Sequence, residues 1–84
     1  GMGAGFITSI TRVDLIDEIV AVSDDEAFAT ARRLAREEGI FGGISSGSNV
    51  FAALQRARAL GPGRRIVTVI CDSGLKYLRG ELYK

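Results

Sequence analysis

Gly39-Ile40-Phe41-Gly42-Gly43-Ile44-Ser45-Ser46-Gly47-Ser48-Asn49 separates two segments of helical periodicity, and its reading decides how the chain is organised. Its four glycines let the backbone take positive φ and approach a ligand closely. A helix starting at about Ser48 would aim its unpaired amides back at the turn. Such a turn suits an anion or a hydrogen-bonding heteroaromatic ring. Glycine and serine composition taken alone favours a turn with no ligand, in which the glycines end one helix and Ser46 or Ser48 caps the next.

On the amino-terminal side, Leu15-Ile16-Asp17-Glu18-Ile19-Val20-Ala21-Val22 is β-branched and mostly apolar, which predicts a strand. Ser23-Asp24-Asp25-Glu26 follows with the spacing of a capping box. Ala27, Phe28, Ala31, Leu34 and Ala35 then recur at helical spacing, opposite Arg32, Arg33, Arg36 and Glu37, until Gly39 supplies a left-handed stop. The expected helix has about four turns.

On the carboxyl side, Val50, Phe51, Ala53, Leu54 and Ala57 make a second stripe that ends near Leu60, before Gly61-Pro62-Gly63. Ile66-Val67-Thr68-Val69-Ile70-Cys71 is almost continuously apolar and predicts a parallel strand buried on both faces, with Cys71 a buried strand-end residue in preference to a reactive thiol. The order β-α-turn-α-β reads as α/β: a partial parallel sheet with two amphipathic helices and right-handed crossovers. So few elements cannot enclose their own apolar surface. Residues 1–84 are therefore read as a single segment of a larger domain, without repeats or a domain-separating linker.

Composition narrows the function. The 84 residues are 46% hydrophobic, with well-mixed charges summing to +1, so neither a nucleic-acid stripe nor a cationic membrane anchor is expected. Histidine is absent and Cys71 is the single cysteine. An internal disulfide, a classical zinc site and a serine-histidine triad are thereby excluded from this chain. No signal-peptide pattern or long apolar run is present, and a reducing cytoplasm is the expected setting. The Gly1-Met2 start reads either as a cleavage scar before an initiator or as native sequence cut from a longer protein.

Six blocks in consistent order resemble the cysteine synthase and cystathionine β-synthase family of fold-type II pyridoxal-phosphate enzymes. They are Gly1-Met2-Gly3-Ala4-Gly5-Phe6; Leu15-Ile16-Asp17-Glu18; Ser23-Asp24-Asp25-Glu26-Ala27-Phe28; Ala31-Arg32-Arg33-Leu34-Ala35-Arg36-Glu37-Glu38-Gly39; Gly43-Ile44-Ser45-Ser46-Gly47; and Asp72-Ser73-Gly74-Leu75-Lys76-Tyr77-Leu78. The resemblance spans the chain but corresponds to the last quarter or so of such an enzyme, within its large domain. Cys71 stands where the family often has proline, and Arg79-Gly80 where it often has serine-threonine.

The resemblance implies pyridoxal 5′-phosphate as cofactor and conversion of O-acetylserine and sulfide to cysteine and acetate. It places Ser45 against the cofactor's pyridine nitrogen, with Gly43 in the same turn and Ser73 on the cofactor side after the last apolar run. A neutral hydroxyl does not hold that nitrogen protonated, which suits β-elimination and replacement over chemistry that needs a long-lived carbanion. Gly1, Gly3 and Ala4 would line the substrate entrance, where a serine acetyltransferase tail docks in the full enzyme. The family's cofactor-binding lysine, substrate loop and phosphate cup belong to upstream sequence; the chain's lysines, Lys76 and Lys84, match neither the position nor the role. No catalytic residue is therefore expected in this chain, which by itself should be inactive and should bind the cofactor poorly. The expected partner is the upstream part of the enzyme or another copy of the chain. The alternative is a non-catalytic, self-associating α/β fragment or engineered module.

Overall fold

The computed structural model describes residues 13–78 together with Leu82. Among these, the regular structure is helical. A 3-10 turn spans Val13–Leu15, helix α1 spans Asp24–Arg33 and runs on as a π turn over Leu34–Glu38, helix α2 spans Ile44–Leu60, and a second 3-10 turn spans Gly74–Tyr77.

Helix α1 begins as its sequence predicts. Ser23 is extended, its hydroxyl accepts from the Glu26 amide at 3.1 Å, and the Glu26 carboxylate accepts from the Ser23 amide at 2.9 Å. This reciprocal cap satisfies two otherwise unpaired donors and stabilises the helix by about 1 kcal/mol. Acidic Asp24, Asp25 and Glu26 sit in the first turn, where they complement the helix dipole. Termination comes at Gly39 with φ 68°, where the Gly39 and Ile40 amides both donate to the Leu34 carbonyl.

A surface pair spans the π turn. The Arg33 guanidinium donates two hydrogen bonds to Glu37, at 2.7 and 3.2 Å. That contact holds the Glu37 carboxyl below its ordinary value and raises Arg33. A carboxyl depressed in the folded state contributes stability above its unfolded value and loses it as pH falls through the folded one. Glu37→Gln should lower neutral-pH stability slightly, since the pair is exposed, and flatten the profile below the ordinary carboxylate range by the same small amount. Urea midpoints of both proteins between neutral pH and pH about 3 check this; parallel curves would refute it.

The two helices meet through small residues. Ala27, Thr30 and Ala31 of α1 are buried, as are Ser46 and Gly47 of α2. A Cβ on Gly47 would lie 2.2 Å from the Ala27 carbonyl oxygen, so the helix backbones approach within a distance only glycine permits. The Thr30 hydroxyl is satisfied by the Glu26 carbonyl at 2.8 Å. Leu82 is also buried, and its carbonyl accepts from Arg32 Nε at 2.6 Å.

The expected partial parallel sheet is not formed: among the described residues there is no strand, and the α/β reading is corrected to a helical pair with irregular flanking segments. Leu15–Val22 and Ile66–Cys71 both lack strand structure. Ile19 is 80% exposed and Val67 86%, the reverse of a strand covered on both faces. Cys71 is likewise exposed, not buried at a strand end. The physical reason is that β-branched runs fit a sheet only where a neighbouring strand supplies the ladder. Here the 69–74 segment is instead tied to α2 and to the turn before it by side-chain and backbone hydrogen bonds. Asn49 Nδ2 donates to the Val69 carbonyl at 2.9 Å, and the Gly74 amide donates to the Phe41 carbonyl at 2.9 Å.

Candidate functional site

Helix α2 starts at Ile44, four residues before the expected Ser48, and its N-cap is Gly43, which has no side chain to cap with. Neither Ser46 nor Ser48 performs that role. Ser45 and Ser46 are instead inside the first turn, about 100° apart around the helix axis. One consequence is that the first amides of α2 need an acceptor from elsewhere.

Asp72 supplies it. The Gly43 amide donates to Asp72 Oδ1 at 2.9 Å, and the Ser46 hydroxyl donates to the same oxygen at 2.5 Å. The Asp72 amide lies 3.4 Å from Ser46 Oγ, closing the contact from the other side. Ser46 is fully buried in this arrangement. A carboxylate at a helix amino terminus is favoured by the dipole, and a hydroxyl donating to a charged oxygen makes one of the stronger hydrogen bonds available.

This contact bears on the two ligand chemistries considered for the turn. The positive end of α2 is already matched by a carboxylate from its own chain, so an incoming phosphate would meet a negative charge and an occupied amide. A neutral ring nitrogen meets no such obstacle. Ser45 is half-buried, and its side chain makes no hydrogen bond among the described residues. It can therefore serve as donor or acceptor to a heteroaromatic group.

The other expected site residues divide. Gly43 is buried in the turn, with its amide committed to Asp72. Ser73 is exposed and accepts from the Leu75 amide at 3.2 Å, a local cap on the 3-10 turn. It is adjacent in sequence to Asp72, so the structure brings it to the same end of α2 as Gly43 and Ser45. Gly1, Gly3 and Ala4 lie outside the described residues. Asp72 was not among the expected site residues. The signal for it is a helix start with glycine at the N-cap, which requires an acceptor brought from another segment.

The cleft between the helices, about 150 Å³ and lined by Thr30, Arg33, Leu34, Glu37, Glu38, Val50 and Leu54, contains no residue of the turn. Among the described residues no acidic, histidine or cysteine cluster could hold a metal ion, and no helix is long and apolar enough to cross a membrane.

Comparison with known proteins identifies the family. The family model for "Pyridoxal-phosphate dependent enzyme" matches residues 1–72. The chain belongs to this family, whose members depend on pyridoxal phosphate. It is 46% identical over 83 residues to a cysteine synthase of Staphylococcus aureus (strain Mu50 / ATCC 700699), an alignment covering 99% of this chain and 27% of that protein. It is 45% identical over 83 residues to a probable cysteine synthase of Bacillus subtilis (strain 168), with the same coverage of each. The chain thus spans about a quarter of the length of these relatives, as a carboxyl-terminal segment.

The residues present fit one end of the cofactor. The Ser45 hydroxyl suits the pyridine ring, whereas the Asp72-filled helix terminus does not suit the phosphate.

Proposed function

We propose that this chain is the carboxyl-terminal part of a cysteine synthase, forming the wall of the site that faces the cofactor's ring. The observation that carries the reading is the open Ser45 hydroxyl at a helix start whose neighbouring Ser46 and Gly43 are already engaged by Asp72. The identity to cysteine synthases over nearly the whole chain supports the same assignment.

When bound, pyridoxal phosphate supplies an electron sink for replacing the β-substituent of a serine derivative such as O-acetylserine. This chain's part is to hold the ring nitrogen through a neutral hydroxyl. Ser45 does not titrate near neutral pH, so it orients the ring without fixing a proton on that nitrogen. Ser73, at the same end of α2, is the second candidate on the cofactor side. Gly1, Gly3 and Ala4 are proposed for the substrate entrance by resemblance alone. Neither Lys76, in the 3-10 turn Gly74–Tyr77, nor Lys84 is assigned the covalent anchorage of the cofactor. The chain by itself is accordingly proposed to be inactive, and to act with the preceding part of such an enzyme in a reducing cytoplasm, where the exposed thiol of Cys71 persists.

Mixing the chain with the upstream portion of a cysteine synthase and pyridoxal phosphate should give a stable complex with protein-bound cofactor absorbance and cysteine formation from O-acetylserine and sulfide. Each component separately should give none. Absence of both association and absorbance would reject the reading.

A second reading, a non-catalytic module that pairs with itself, is favoured by one observation. Val67, Ile19, Leu15 and Leu75 are 86, 80, 70 and 68% exposed, apolar surface that a second copy could cover. Sedimentation separates the readings: concentration-dependent dimers that ignore the upstream portion favour self-pairing, and dimers that dissociate in its presence favour the enzyme.

A further inference from the structure

We propose that Asp72 is a positioning residue for the cofactor-facing turn: its carboxylate takes the Gly43 amide and the Ser46 hydroxyl, which leaves Ser45 as the hydroxyl presented to a ring nitrogen. The proposal rests on the reading of Ser45 given above. It goes further in assigning the turn's conformation to a residue 26 positions away from Ser46.

Three observations converge on Asp72. The N-cap of α2 is glycine, so no local side chain can accept from the first amides. Ser46, fully buried, commits its hydroxyl to Asp72, and a hydroxyl so engaged cannot turn outward to compete with Ser45 for a ligand. One helical turn later on the same face, Asn49 fixes the Val69 carbonyl at 2.9 Å, which sets the register of the segment carrying Asp72 against α2. The turn is closed on this side, since even a Cβ on Gly42 would stand 2.8 Å from Ser46 Cβ. Asp72 therefore acts through Ser46 and Gly43 and need not touch the cofactor.

Asp72→Ala and Asp72→Asn separate positioning from simple helix stability. In the chain itself, Asp72→Ala should speed amide hydrogen exchange at Gly43 by roughly fivefold, the size of a lost helix cap, without matching acceleration from Ala53 to Leu60. Asp72→Asn keeps an acceptor oxygen and should restore most of the protection. In the complex with the upstream portion, Asp72→Ala should weaken retention of pyridoxal phosphate by a similar factor and shift its absorbance, and Asp72→Asn should rescue both. If Asp72→Ala fails to fold, the asparagine variant decides through the same exchange and absorbance readouts: native-like values support the proposal, and Gly43 exchange as fast as in an uncapped helix overturns it. Unchanged Gly43 exchange, or exchange raised equally along all of α2, overturns it too. If the complex of native sequence binds no cofactor, the reading of Ser45 falls and the cofactor-directed part of the proposal with it, while exchange at Gly43 still reports whether Asp72 holds the turn.

Discussion

Gly47→Ala should lower stability by about 3 kcal/mol, the upper end of what an overpacked contact costs, and should abolish most of the cooperative unfolding transition of this small chain. The added Cβ would stand 2.2 Å from the Ala27 carbonyl oxygen, 3.1 Å from the Ala27 carbonyl carbon and 3.1 Å from Ala31 Cβ. The first of these neighbours is backbone inside α1 and cannot rotate aside. Relief requires the helices to separate, uncovering Ala27 and Ala31, which are 2% and 0% exposed. Gly74 gives the contrast. A Cβ there would meet the Phe41 ring at 2.4 Å, but that ring is 39% exposed and can swing outward, so Gly74→Ala should be far milder. Urea unfolding followed by circular dichroism measures both. A Gly47→Ala loss below about 1 kcal/mol would mean that the helices are not held this closely.

Adjacent serines should respond to alanine in opposite ways. Ser46→Ala removes a buried hydroxyl that donates to a carboxylate at 2.5 Å, and hydrogen bonds to charged groups contribute about 1.5–3 kcal/mol. Asp72 is half-buried and water can partly replace the lost donor, so the low end, about 1.5 kcal/mol, is expected. Ser45→Ala breaks no hydrogen bond among the described residues and should change stability by less than about 0.5 kcal/mol. In the complex with the upstream portion the order reverses: Ser45→Ala should alter the bound cofactor's absorbance and the turnover directly, and Ser46→Ala only through the looser turn. Equal stability losses in the two variants would show that the serines are not differentiated as described.

How much of this was legible in the sequence depended on whether the cause was local. The capping box at Ser23 and Glu26, the apolar face of Ala27 and Ala31, the stop at Gly39 and the end of α2 near Leu60 all follow from residues within a turn of one another, and each is present. The strand expectations failed at Leu15–Val22 and Ile66–Cys71 because a strand is a relation between segments, and a β-branched run states only half of it. The start of α2 was misplaced for a related reason. Serine pairs near a helix start look like caps, but Gly43 takes that position and the acceptor comes from Asp72, far along the chain. The role proposed for Ser45 comes from the resemblance of the Gly-Ile-Ser-Ser-Gly turn to a known family. The reason it is the open serine was not legible, since it depends on what Ser46 already holds.

The hydrogen bond from Arg32 to the Leu82 carbonyl bears on the order in which the molecule assembles. It joins residues 50 apart, whereas Ser46 and Asp72 are 26 apart and the two helices are separated by a turn of a few residues. Each doubling of a flexible loop adds only about 0.6 kcal/mol to the entropy of closing it, so the distant bond is nearly as accessible as the middle one once its docking surface exists. That surface is the pair of helices. The short connection between α1 and α2 leads us to expect their pairing before the carboxylate latch at the start of α2, and the capture of Leu82 after both; pulsed hydrogen exchange that protects Gly43 before the α1 and α2 amides would refute that order.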